Sequence, residues 1–158
     1  MVIRRAKEKD ITAVTALLSQ VLEIHAEIRP DIFISGTTKY SPEELRAIFA
    51  DDMRPVYVAV NEEDEVLGYA FCILKQAPPS QNIKDFRSLY IDDLCVDQSS
   101  RGTHIGELLF RFVKEEAVRL GCYEITLNVW EGNDIARRFY EKMGMKPQRT
   151  NMEYILES

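Results

Sequence analysis

Tyr90-Ile-Asp-Asp-Leu-Cys-Val96 passes through a short polar turn into Arg101-Gly-Thr-His-Ile-Gly106, and then into a helical pattern. Ile105, Leu108, Leu109, Phe112, Val113 and Leu120 fall on one face at a 3.6-residue period, with Gly121 just past the end as a cap. An apolar strand therefore feeds a glycine-bearing loop that opens a helix. Such a helix start points unpaired N–H groups and a positive dipole end at one place, which suits a phosphate. The loop is neither a P-loop nor a dinucleotide fingerprint, since Gly-Lys-Ser/Thr and Gly-x-Gly-x-x-Gly are both missing. Glycine loops also precede many helices that bind nothing. Two acids, Asp92 and Asp93, lie in the strand leading to this one.

A second segment extends the pattern. Tyr123 to Val129 alternates as a strand, and a helix opens near Asn133 and closes at Gly144. Asn133, Ala136, Arg137 and Tyr140 share one face, while Ile135, Phe139 and Met143 take another that suits a core. From helix position alone, Tyr140 fits an ordinary half-buried tyrosine.

Together these segments resemble the GNAT N-acetyltransferase superfamily. Its loop, Gln/Arg-x-x-Gly-x-Gly/Ala, is matched by Arg101-Gly-Thr-His-Ile-Gly106, with His104 where the middle glycine usually stands. Its later helix is matched by Asn133, Ala136, Phe139, Tyr140, Gly144 and Met145. The resemblance runs from Val2 to Leu156. It implies an α/β fold: a mixed, mostly antiparallel seven-stranded sheet flanked by helices, in one domain over 1–158. It further implies acetyl-CoA as cosubstrate, lying where two central strands splay apart. Leu94, Cys95 and Val96 would pair with the pantetheine arm. The backbone of Arg101, Gly102, Thr103, His104, Ile105 and Gly106 would hold the pyrophosphate, and Asn133 would reach the same region. Asp92 matches an acidic position used as proton acceptor, and Tyr140 matches a tyrosine that protonates the departing thiolate.

Composition agrees with a single folded domain. The chain has 158 residues, 46% of them hydrophobic, enough to bury roughly 70% of its unfolded surface. A net charge of −6 argues against nucleic acid as the main partner and mildly favours cationic substrates. Cys72, Cys95 and Cys122 are odd in number and sit in apolar contexts, as buried free thiols of a reducing, cytoplasmic compartment do. No Cys/His cluster has metal-ligand spacing, so no metal is expected. No signal peptide and no apolar run approaching membrane length is read, so no membrane partner is expected; a homodimer is left open.

The remaining elements alternate. Val2 to Arg5 is a strand, and Asp10 is expected to cap a helix carrying Ile11, Val14, Leu17, Leu18, Val21 and Leu22 that stops before Pro30. Ser41-Pro-Glu-Glu44 is a capping box opening a helix through Phe49. Val56 to Val60 and Val66 to Leu74 flank a turn as a hairpin, and Leu89 to Val96 is a central strand.

Acyl transfer to an amine needs a neutral nucleophile, and an alkylammonium of pKa ~10.4 costs about 4–5 kcal/mol to deprotonate at pH 7. Strand alternation sends Asp92 and Asp93 to opposite faces: Asp92 to the cleft, Asp93 to the body of the domain. Both acids also fit structural roles, or simple attraction of a cation. On the acceptor side, Glu27, Asp31, Asp93 and Asn128 are candidate contacts for a cationic amine, and Arg29 for a carboxylate. His25 reads as a packing residue before a base. A GNAT-fold acyl-CoA sensor or regulatory module without turnover is the alternative function.

Overall fold

A computed structural model describes residues 1–156 of the chain. Two compact units divide it, Met1–Asn128 and Val129–Ser158.

The first unit holds a five-stranded sheet in the order β1 (Val2–Arg5), β2 (Val56–Val60), β3 (Val66–Gln76), β4 (Arg87–Val96) and β5 (Glu124–Leu127). The first three pairings are antiparallel; β4 and β5 run parallel, from Ser88↔Glu124 to Ile91↔Leu127. The expected mostly antiparallel seven-stranded sheet is thus corrected to a mixed sheet of five described strands. The stretch from Met145 to Leu156 forms no strand, and Met152, Tyr154, Ile155 and Leu156 are exposed.

Helices α1 (Ile11–Ile28) and α2 (Pro42–Phe49) cover one face. Val14, Leu17, Leu18, Leu45, Ile48 and Phe49 pack there against Val56, Val58, Val60, Tyr69 and Phe71. Glu8–Ile28 is apolar and long enough to cross a bilayer by length and composition, contrary to the sequence reading. Its buried stripe of Ile11, Val14, Leu17 and Leu18 is spent in this core. Asp10 does not cap α1 with its side chain, because a 3-10 turn over Glu8–Asp10 already begins the coil. Its carboxylate instead accepts two bonds from Arg4, at 2.8 and 3.0 Å, and one from the Lys7 amide at 2.8 Å. At α2 the capping box is present as read: the Ser41 hydroxyl accepts from the Glu44 amide and the Glu44 carboxylate from the Ser41 amide.

Helix α3 (Ile105–Arg119) packs on the opposite face. Phe112 meets Tyr57 edge to face at 5.1 Å. Its core stripe includes Phe110, which the periodic reading left out, besides Ile105, Leu109, Val113 and Ala117. Gly68 has no room for a side chain: a Cβ there would sit 2.8 Å from the Cys95 carbonyl oxygen and 3.2 Å from Leu109. Past α3, Gly121 takes φ +74°, and the Cys122 amide folds back to the Ala117 carbonyl at 2.9 Å.

In the second unit, α4 (Asp134–Lys142) starts where the Asn133 side chain accepts from the Ala136 amide. None of its residues is buried, and Ile135, expected in a core, is 78% exposed. Gly144 ends the turn at φ +100°.

Candidate active site

The pairing of β4 changes along its length. Through Ile91 it has neighbours on both sides, β3 and β5. From Asp92 to Val96 only β3 pairs with it. Alternate amides and carbonyls of this stretch therefore face an open edge, which an extended ligand can complete as an added strand.

The open edge begins at a bulge. Phe71 pairs with Asp93 and Cys72 with Ile91, so Asp92 is the extra residue of β4. The alternation that assigned the two acids to opposite faces fails at this point. Asp93, as the partner of Phe71, lies on the α1/α2 face, where the Tyr69 hydroxyl donates to its carboxylate at 2.5 Å. Asp92 points to the same side: its Oδ2 accepts from Lys39 Nζ at 2.7 Å, in the loop between α1 and α2. Asp92 also helps line a small cavity with Tyr40, Ile48 and Phe71.

The two carboxyls nonetheless differ. Burial pushes Asp93 up to about 6, against the pull of the Tyr69 hydroxyl and the Lys39 ammonium toward the charged form. Asp92 is ion-paired, with a fifth of its side chain exposed (21%). Sequence reasoning missed Tyr69 and Lys39. Inward alternation along β3 was a signal for Tyr69; Lys39 lies 53 residues from its partner and carries no local one.

Beyond β4, the Asp97 carboxylate accepts from the Ser99 amide and from Gln20 at 3.2 Å, which ties the turn to α1. Gly102 and His104 both have left-handed backbone, at φ +83° and +65°. His104 precedes α3 without a side-chain cap; its ring turns to the Glu107 carboxylate at 3.3 Å. Within α3 the first amide with a backbone acceptor is that of Leu108, bonded to the His104 carbonyl at 3.0 Å. Among the described bonds, the amides from Gly102 to Glu107 have no backbone acceptor. Cys95 is buried against the Leu17 carbonyl, and burial pushes its thiol up to about 12, so it acts as packing.

The acceptor-side candidates are more local in their bonds. Arg29 and Asp31 pair with each other at 2.8 Å, and Glu27 is exposed on α1. His25 stacks at a tilt on Phe33, and burial, then Lys39, lower its pKa. Asn128, just after β5, donates to the Tyr90 hydroxyl at 3.2 Å. In the second unit, Asn133 is occupied as a helix cap, and Tyr140 is half-buried with its ring edge-on to Phe139 at 5.2 Å.

The tetramutant of BH1408 protein from Bacillus halodurans superposes with a TM-score of 0.93 at 34% identity, over 99% of this chain and 100% of that one. Peptidyl-lysine N-acetyltransferase YjaB of Escherichia coli (strain K12) is 30% identical over 114 residues, 72% of this chain; the matched part spans 64% of that protein's length. Glucosamine-6-phosphate N-acetyltransferase from Arabidopsis thaliana shares the fold, with a TM-score of 0.70 at 20% identity over 99% of this chain and 98% of that one. The model of the acetyltransferase (GNAT) family matches residues 18–145, from the middle of α1 past α4, so the open edge of β4, the acid pair and the α3 loop all fall inside it. By that match the chain belongs to the GNAT family and is an acetyltransferase.

Proposed function

We propose that the chain transfers an acetyl group from acetyl-CoA to a primary amine of a small molecule or peptide, by direct attack, in a reducing cytoplasmic compartment. The observation that carries this reading is the unpaired edge of β4 from Asp92 to Val96, continuous with the open amides of Gly102–Glu107. The first suits a pantetheine arm and the second a pyrophosphate. Bound there, acetyl-CoA supplies an activated acetyl thioester.

The chain's own residues then do the following. Asp92 draws the cationic amine to the bulge, as it already holds an ammonium. Asp93 takes the amine's proton, directly or through one water; a carboxyl near 6 is a better base for an ammonium than an ordinary aspartate, and still ionised at pH 7. Tyr69 orients that carboxylate. Amides of Leu94 to Val96 on the open side polarise the acetyl carbonyl. Tyr140, by the family resemblance, returns a proton to the leaving thiolate.

The test is a thermal-shift titration with acetyl-CoA followed by a thiol-release assay across amines, amino acids and peptides. We expect stabilisation and release with at least one cationic amine. No shift at millimolar acetyl-CoA overturns the reading. Binding with no thiol release from any acceptor replaces it with a sensor.

A further inference from the structure

Lys39 is held in place from both ends of its loop. On one side, the Glu23 carboxylate accepts from the Ser35 hydroxyl at 2.7 Å and the Gly36 amide at 2.6 Å. On the other, the Tyr40 ring stacks on Phe71 at 5.8 Å, and Ser41 caps α2. Between these anchors, Lys39 Nζ reaches the Asp92 carboxylate at 2.7 Å and lies 5.4 Å from the centre of the Tyr40 ring. Phe71, under that ring, is the cross-strand partner of Asp93. A primary ammonium of this chain thus sits at the first residue of the open β4 edge, bonded to Asp92 and within electrostatic reach of Asp93.

We propose that Lys39 is itself an acetyl acceptor, modified in its own chain at the bulge of β4. This rests on the reading of that edge as the site of acetyl transfer. The Lys39 ammonium gives one proton to the Asp93 carboxylate. The freed Nζ lone pair forms the N–C bond to the thioester carbonyl carbon, the C–S bond breaks, and the second nitrogen proton leaves with the CoA thiolate as free thiol. The products are an acetylated lysine, CoA and a proton that Asp93 passes to water. Acetylation removes the positive charge, so Asp92 loses its ion-pair partner. An outside amine has to displace the same ammonium, which makes Lys39 a resident competitor for the acceptor position. The substrate class this geometry favours is an unbranched alkylamine such as a lysine side chain.

The test incubates the purified full chain with acetyl-CoA and no acceptor, and maps acetylated peptides by mass spectrometry against time. Lys39 should gain its acetyl group at least about tenfold faster than exposed Lys7, Lys84 or Lys142, with a rate constant independent of protein concentration. Asp93→Asn should slow Lys39 by about tenfold or more and leave the other lysines unchanged. Lys39→Arg, folded and still shifted by acetyl-CoA, should show no fast site. Modification of Lys39 no faster than of Lys84, or unaltered by Asp93→Asn, overturns the inference. If acetyl-CoA still raises the Tm in that case, the proposed function stands without it; if acetyl-CoA has no effect on the Tm, both fall.

Discussion

Asp10 is buried and Asp93 half-buried, both desolvated by the protein around them, and the protein treats them in opposite ways. Asp10 is 3% exposed and fully answered: two bonds from Arg4 and one from the Lys7 amide. Burial works to raise its pKa, but the guanidinium and the amide outweigh it and hold the carboxyl below the usual carboxylate range. Asp93 receives the Tyr69 hydroxyl and the Leu94 amide but no guanidinium, and burial wins, raising it to about 6. The first carboxylate ties β1 to the start of α1. The second keeps an unspent affinity for a proton next to an open strand edge. Burial alone therefore does not mark a functional acid; burial left partly unanswered does.

The largest effect that would sharpen this contrast is on stability. Asp10→Asn removes the charge that answers Arg4, which then keeps the Arg5 carbonyl at 3.0 Å and, as its described ion-pair partner, the more exposed Asp64 at 3.1 Å. Breaking such a pair should cost about 3 kcal/mol, read by denaturant unfolding. A loss below ~1 kcal/mol would erase the distinction. Next, Asp93→Asn should lower kcat/KM by about 100-fold, or ~2.7 kcal/mol, while leaving the fold as stable or more so at pH 7. An unfolded variant would make Asp93 a second Asp10.

The pH dependence of stability has opposite signs at the two sites. Asp10, depressed in the native state, stabilises above its unfolded pKa of ~3.9, and that contribution is lost as pH falls through the native value. Asp93, raised, favours the fold below ~3.9, and that contribution is lost as pH rises toward 6. Between pH 4 and 6, Asp93→Asn should therefore flatten a decline in Tm with rising pH that Asp10→Asn preserves. The smallest effect is expected from Tyr69→Phe. Losing the hydroxyl that favours the carboxylate should move the acidic limb of the kcat/KM profile up by about half a pH unit. A limb that stays put would remove Asp93 as its source.

Features settled by neighbouring residues were legible in the sequence. Ser41, Pro42 and Glu44 specify a helix start among themselves, and Gly121 and Gly144 take the positive φ that ends a helix. The α3 loop was readable because unpaired amides are a backbone property of any helix start. What depended on two distant strands was not readable. The bulge at Asp92 exists only in the register of β4 on β3, so alternation within β4 misplaced one acid. Lys39 and Tyr69 meet Asp92 and Asp93 across 53 and 24 residues. Asp10 stands at the N-cap of α1 as read, but its side chain bonds the half-buried Arg4 guanidinium instead of the helix amides, a demand set by β1.

The change from antiparallel to parallel pairing at β4 has a consequence for how the molecule is made. Strands β1 to β4 are neighbours in sequence order, and the β2–β3 and β3–β4 pairs each close a short loop. The β4–β5 pair must first fold the whole of α3 into a crossover, with Ser88 reaching Glu124. Loop closure taxes that step more than either hairpin, though less than the β1–β2 pair, whose connection runs from Ala6 to Pro55, so β5 docks onto a β2–β3–β4 meander already formed. During synthesis the acids at the bulge emerge before β5 does. The edge of β4 from Asp92 to Val96 is the original edge of a growing sheet, and β5, which stops at Leu127, does not pair with it.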